Sequence, residues 1–112
     1  MNQVALITGA SRGIGRGVAL DLAAAGWNLV VNYANNKTAA DDTAECSIEH
    51  ARSAGHEICA KTCQGDVGQS KDRDRLVSFV RNQFGRLDLL VNNAGITRDN
   101  IILRMSDEEW SD

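Results

Sequence analysis

The sequence predicts a doubly wound α/β fold, a parallel sheet with helices on its faces. Short apolar runs alternate with longer mixed segments at about thirty residues per strand–helix unit, the pattern of parallel strands joined by right-handed crossovers. The longer segments carry apolar residues at helical spacing. A glycine-rich turn stands at the first strand-to-helix junction, Thr8-Gly9-Ala10-Ser11-Arg12-Gly13-Ile14-Gly15.

Val4–Thr8 reads as a buried strand ended by Gly9. Ile14, Val18, Leu22 and Ala25 recur at helical spacing until Gly26 stops that helix. Leu29–Asn32 is a second strand. Thr38 to Ala54 is polar and alanine-rich, with Ala40, Ala44, Ile48 and Ala51 as its buried edge and Gly55 at its end. Glu57–Cys63 alternates as a third strand, with Ile58, Ala60 and Thr62 on one face. Ser70 to Phe84 places Leu76, Val77, Val80 and Phe84 along one helical stripe before Gly85. Leu87–Asn92 is a fourth strand, and Ser106 with Glu109 three residues later fits a capping box.

Four strands in the order 3-2-1-4 and three crossover helices are thus expected. A doubly wound nucleotide fold commonly has six strands or more, so residues 1–112 read as the N-terminal, dinucleotide-binding portion of a single, incomplete domain. The fourth strand is then expected to carry an unpaired edge.

Composition narrows the function. The chain has 43% hydrophobic and 24% charged residues and a formal charge of −3, an ordinary soluble composition without the basic face that a nucleic-acid binder needs. No apolar run approaches the ~18 residues of a membrane span, and no charged region with a long apolar stretch opens the chain. A soluble, cytoplasmic protein is expected. Cys59 and Cys63 are about 13 Å apart along one strand, too far to bridge. With no C-x-x-C and no ligand spacing at His50 and His56, no metal site is expected; the thiols, Cys46 included, are read as fillers of small apolar spaces.

The glycine turn is where a ligand is expected. Gly9 permits a tight turn, Gly13 lets backbone approach a ligand, and Gly15 allows close packing of the helix. Free N–H groups at the helix start point at an anion, and the helix dipole favours its charge. The spacing is Gly-x-x-x-Gly-x-Gly rather than G-x-G-x-x-G, yet its place after the first strand still indicates a dinucleotide.

Thr8–Gly15, then Asp66-Val67 after the third strand and Asn92-Asn93-Ala94-Gly95 after the fourth, resemble the short-chain dehydrogenase/reductase family over essentially the whole chain. Gly95–Asn100 and Arg104–Trp110 are similar to its 3-oxoacyl-acyl-carrier-protein reductase branch, and acetoacetyl-CoA reductases share much of that segment. The resemblance implies a Rossmann-type sheet and an oxidoreductase of fatty-acid synthesis, reducing a carrier-bound or CoA-bound 3-oxoacyl thioester, as a homo-oligomer when complete. It implies that Gly9, Ser11, Gly13, Ile14 and Gly15 line the pyrophosphate and nicotinamide. Asp66 would take the adenine amino group with the Val67 backbone beside it. Asn93, Ala94 and Gly95 would run along the adenosine ribose, and Asn92 would tie the central strands together.

NAD-preferring members of the family place an acid at the end of the second strand, against the ribose 2′-hydroxyl. Here that segment is Val31-Asn32-Tyr33-Ala34-Asn35, and Arg12 supplies a cation whose fork suits a 2′-phosphate. NADP(H) is therefore the expected cofactor, with contacts from Asn35 or Lys37 left open. The family protonates the substrate with a tyrosine whose pKa a lysine lowers, helped by a serine and an asparagine. In family order all four lie beyond Asp112, so no catalytic residue is assigned. Tyr33 and Lys37 do spell Tyr-x-x-x-Lys, but at the adenosine end, far from the nicotinamide. The rival reading is a non-catalytic dinucleotide-binding module or an inactive truncated product.

Overall fold

The computed structural model describes residues 2–10 and 13–93, together with the backbone of residues 101–104. Its elements in chain order are β1 (Val4–Thr8), α1 (Gly13–Ala24), β2 (Asn28–Tyr33), α2 (Lys37–Ser53), β3 (Ala60–Gln64), α3 (Ser70–Phe84), β4 (Leu89–Asn92) and β5 (Ile101–Arg104). The sheet runs β3-β2-β1-β4-β5. The first four strands are mutually parallel, as β1 pairs with β2 and β4, and β2 with β3. The expected order 3-2-1-4 is therefore present.

The central strand β1 is buried at all five positions, which is why it reads as an unbroken apolar run. Its side chains alternate between two layers. Ala5 and Ile7 join Leu29, Val31 and Tyr33 beneath α1 and α2. Val4 and Leu6 join Val30, Cys63, Leu76, Val80 and Leu87 beneath α3. The first layer is capped by Ala19, Ala23, Ala40, Ala44 and Ala51, whose small side chains let two helices lie close to the strands. The second depends on Leu76 and Val80; truncating buried Leu76 to alanine would cost ~2–5 kcal/mol.

Local chemistry fixes the helix ends. Asn36 caps α2, its side chain accepting the Ala39 N–H at 2.9 Å. Gly85 ends α3 in the left-handed region, φ 73°, donating its N–H to the Arg81 carbonyl. The thin apolar stripe of α2 is completed by Thr43 and Ser47, both fully buried. Ser47 donates to the Thr43 carbonyl at 2.7 Å, and Thr43 Oγ1 accepts from Arg16 of α1 at 3.1 Å.

Four expectations are corrected. The strand β3 begins at Ala60 rather than Glu57, because the Cys59 N–H is taken at 2.8 Å by the Asn28 side chain before the ladder starts. Cys59 is exposed and fills no apolar space. Ile14 is 67% exposed and Val77 38%, so neither belongs to the stripe that its spacing suggested; Val77 lines a cavity instead. The free edge expected on β4 is covered by β5, which runs antiparallel with Leu90 opposite Leu103 and Asn92 opposite Ile101. The connection through residues 93–100 suffices for a returning antiparallel strand, whereas a parallel neighbour would need a crossover of a dozen or more residues. The capping box at Ser106 and Glu109 lies outside the described residues.

Candidate functional site

At the carboxyl ends of the strands the side chains change from apolar to polar, and a cavity of about 610 Å³ opens there. It is lined by Thr8, Gly9, Asn32, Gly65, Asp66, Val67 and Asn92, over an apolar floor that includes Leu6, Leu76 and Leu90. A crevice at this end of an open parallel sheet, beside its central strands, is where such folds take ligands.

The turn after β1 is built for close approach. Gly9 and Gly13 have φ of 61° and 67°, a region that side chains rarely adopt. A Cβ on Gly13 would meet nothing within 4 Å, so this stretch of backbone faces open space. Gly15 is the opposite case. A Cβ there would stand 2.7 Å from the Gly9 carbonyl oxygen, 2.8 Å from Asn93 Nδ2 and 2.9 Å from Ala10 Cα. Glycine at position 15 is thus what lets α1 start directly against the turn.

Hydrogen bonds fix the turn from three sides. The Gly9 N–H donates to Asn32 Oδ1 at 3.2 Å, and the Ala10 N–H to the Asn32 carbonyl at 3.0 Å. The Gly9 carbonyl accepts from Asn93 Nδ2 at 3.2 Å. Thr8 links β1 to β4: its hydroxyl donates to Asn92 Oδ1 at 3.1 Å and accepts the Asn93 N–H at 2.9 Å. With these bonds in place, the helix start beyond Gly13 has its first amides directed along the axis, no acidic residue in its first turn, and a dipole suited to a negative group.

The opposite wall is the turn after β3. Asp66 Oδ1 accepts the Gly68 N–H at 2.9 Å, a local turn of the kind aspartate favours. The Asp66 N–H donates to Asp72 Oδ2 at 2.8 Å, and Arg73 donates to the Val67 carbonyl at 2.7 Å, so α3 holds this turn down. That N–H bond, with Arg75 nearby, keeps the Asp72 carboxyl below its ordinary pKa.

The structure brings together Gly9, Asp66 and Val67 at the cavity, with Gly13 and Ile14 exposed at the head of α1. Asn92 ties β1 to β4, the role the resemblance implied. The Asn93 amide group sits on the glycine turn. Ser11, Arg12, Ala94 and Gly95 lie outside the described residues. Lys37 is 2.7 Å from Asp41 on an exposed helix face, and Asn35 is exposed just before that helix. Tyr33 is buried in the α1/α2 layer, away from the cavity lining. Sequence reasoning missed Thr8, Asn32 and Arg73. For Asn32 a signal existed, a carboxamide closing an otherwise apolar run, Leu29-Val30-Val31.

A short chain dehydrogenase family model matches residues 3–112. Over all 112 residues the chain is 47% identical to the 3-oxoacyl-[acyl-carrier-protein] reductase FabG of Staphylococcus epidermidis, and it spans 43% of that relative's length. Among solved structures it is similar to the acetoin dehydrogenase YohF from Salmonella typhimurium, with a TM-score of 0.73 and 28% identity, covering 86% of this chain and 37% of that one. It is equally similar to YwfH, an NADPH-dependent reductase involved in bacilysin biosynthesis, with a TM-score of 0.73, 30% identity, and 83% and 35% of the two chains covered.

Proposed function

The chain belongs to the short chain dehydrogenase family, and from that premise we propose that it forms the NADP(H)-binding part of a cytoplasmic, homo-oligomeric reductase of 3-oxoacyl thioesters in fatty-acid synthesis. The coenzyme supplies the hydride; the residues of this chain bind and orient it. The cavity between the Gly9 turn and the Asp66 turn carries this reading, because it offers anion-facing backbone at one wall and a carboxylate at the other. Gly9, Ser11, Gly13, Ile14 and Gly15 hold the pyrophosphate and the nicotinamide side. Asp66, through the oxygen left over from its turn, takes the adenine amino group beside Val67. Asn93, Ala94 and Gly95 pass along the ribose, Asn93 acting chiefly by holding the turn.

The thioester substrate is proposed from the 47% identity to a carrier-protein reductase, and the phosphorylated coenzyme from Arg12 together with the neutral end of β2. Arg12→Ala in the protein as its source cell makes it should weaken NADPH binding far more than NADH binding. Equal losses would overturn the NADP assignment. Turnover with acetoacetyl thioesters of carrier protein and of coenzyme A tests the substrate. Binding of NADPH without its oxidation by either would leave a binding module.

A further inference from the structure

We propose that Asn32 is the positioning residue that sets the separation between the two walls of the cavity, so that both halves of one dinucleotide are met at once. The inference rests on the coenzyme reading above and assigns a role to a residue that does not need to touch the ligand chemically. Asn32 is 1% exposed, at the end of β2, between the strands that lead into the two turns. Its Oδ1 accepts the Gly9 N–H at 3.2 Å, while its Nδ2 donates to the carbonyls of Cys63 at 3.2 Å and Gly65 at 3.1 Å. One rigid amide therefore joins the phosphate-side turn after β1 to the adenine-side turn after β3, two strand spacings, or about 10 Å, apart.

A buried carboxamide costs free energy unless its donors and acceptor are all met, and here they are met by backbone of the two turns and of the end of β3. The other buried polar side chains behave differently. Thr8 also stands at the cavity but joins β1 to β4 and does not reach the Asp66 turn in its bonds to Asn92 and Asn93. Ser47 bonds within its own helix, and Thr43 joins α2 to α1, both remote from the cavity. The Asn32 side chain bonds directly to both turns. The gain in affinity from linking two half-ligands survives only while both half-sites keep their spacing. Loss of Asn32 should therefore damage binding of the whole dinucleotide and leave each half largely intact.

The test compares NADPH with adenosine, which carries neither the pyrophosphate nor the 2′-phosphate assigned to the Gly9 side, by titration against folded protein as the source cell makes it. Asn32→Ala is expected to weaken NADPH about tenfold or more and adenosine less than about threefold. Ser47→Ala, which removes a buried bond elsewhere, is expected to move neither constant. Asn32→Ser, polar but too short to reach both turns, supplies the same comparison if the alanine variant does not fold. Equal weakening of both probes, or of neither, overturns the spacing role while leaving the coenzyme site intact. Failure of the unaltered protein to bind either NADPH or NADH overturns the underlying reading, and the inference with it.

Discussion

At the amino ends of the strands, Asp88 accepts the Val4 N–H at 2.8 Å and two bonds from Arg86, so its carboxylate closes the fold upon itself. Asn28 does the same for the Cys59 N–H and Asn2. At the carboxyl ends an equally dense set of bonds, from Thr8, Asn32 and Asn93, fixes the Gly9 turn from beside and behind and leaves open space in front of Gly13. Both ends are polar and both are ordered by side chain-to-backbone bonds. The difference lies in direction. One end uses its polar groups to satisfy the chain, and the other uses them to hold backbone still while keeping a face clear. A binding site of this kind is recognised by what its bonds leave unobstructed.

The contrast is broken most severely by Gly15→Ala. The added methyl would collide with backbone of Gly9 and Ala10, and the turn must shift by several tenths of an ångström to admit it. A loss of about 10- to 100-fold in coenzyme affinity is expected, since overpacking of this kind costs ~1–3 kcal/mol, measured by fluorescence titration of NADPH. Binding indistinguishable from that of the unaltered protein would mean that the turn is softer than its bonds suggest.

Asp88→Ala sharpens the same contrast from the other end. Leaving the Val4 N–H and the Arg86 guanidinium without their shared carboxylate should cost ~1–3 kcal/mol in denaturant unfolding. Coenzyme affinity per folded molecule should not change. A fall in both quantities would show that the ends of the sheet are coupled.

The smallest effect is a pH dependence at the Asp66 turn. The Asp66 N–H, then Arg75, hold the Asp72 carboxyl below its ordinary pKa. A group depressed in the folded state stabilises it above the usual carboxylate range, and that contribution disappears as the pH drops through the lowered value. The Tm of Asp72→Asn should therefore lie below that of the unaltered protein at neutral pH, and the gap should close in acid. A gap independent of pH would remove Asp72 from the account of how this turn is held.

Much of the architecture was legible because it rests on local pattern. The five residues of β1 and the fifteen of α3 fall where apolar runs and helical spacing put them. The glycines of the turn were legible too, since their reason is steric and each acts within a few residues. Asn32 and Asn93 were less so, because their partners are remote in sequence: 33 positions separate Asn32 from Gly65, and 84 separate Asn93 from Gly9. Periodicity also misplaced Ile14 and Val77: Ile14 is exposed at the head of α1, and at Val77 the stripe continues in sequence past the point where the layer beneath it gives way to the cavity. The β4 edge was misjudged because the expected sheet stopped at the fourth strand and the short apolar run Ile101–Leu103 was not read as a strand.

The central strand has neighbours on both flanks and helices over both faces. Such a segment is the last to exchange its amide protons for deuterium, since nothing short of global opening uncovers it. The Gly9 turn hangs from its end, and outer pieces such as β3 and β5 can breathe without carrying that anchor away. A coenzyme gripped there would dissociate at a rate set by its own contacts rather than by fraying of the protein around it.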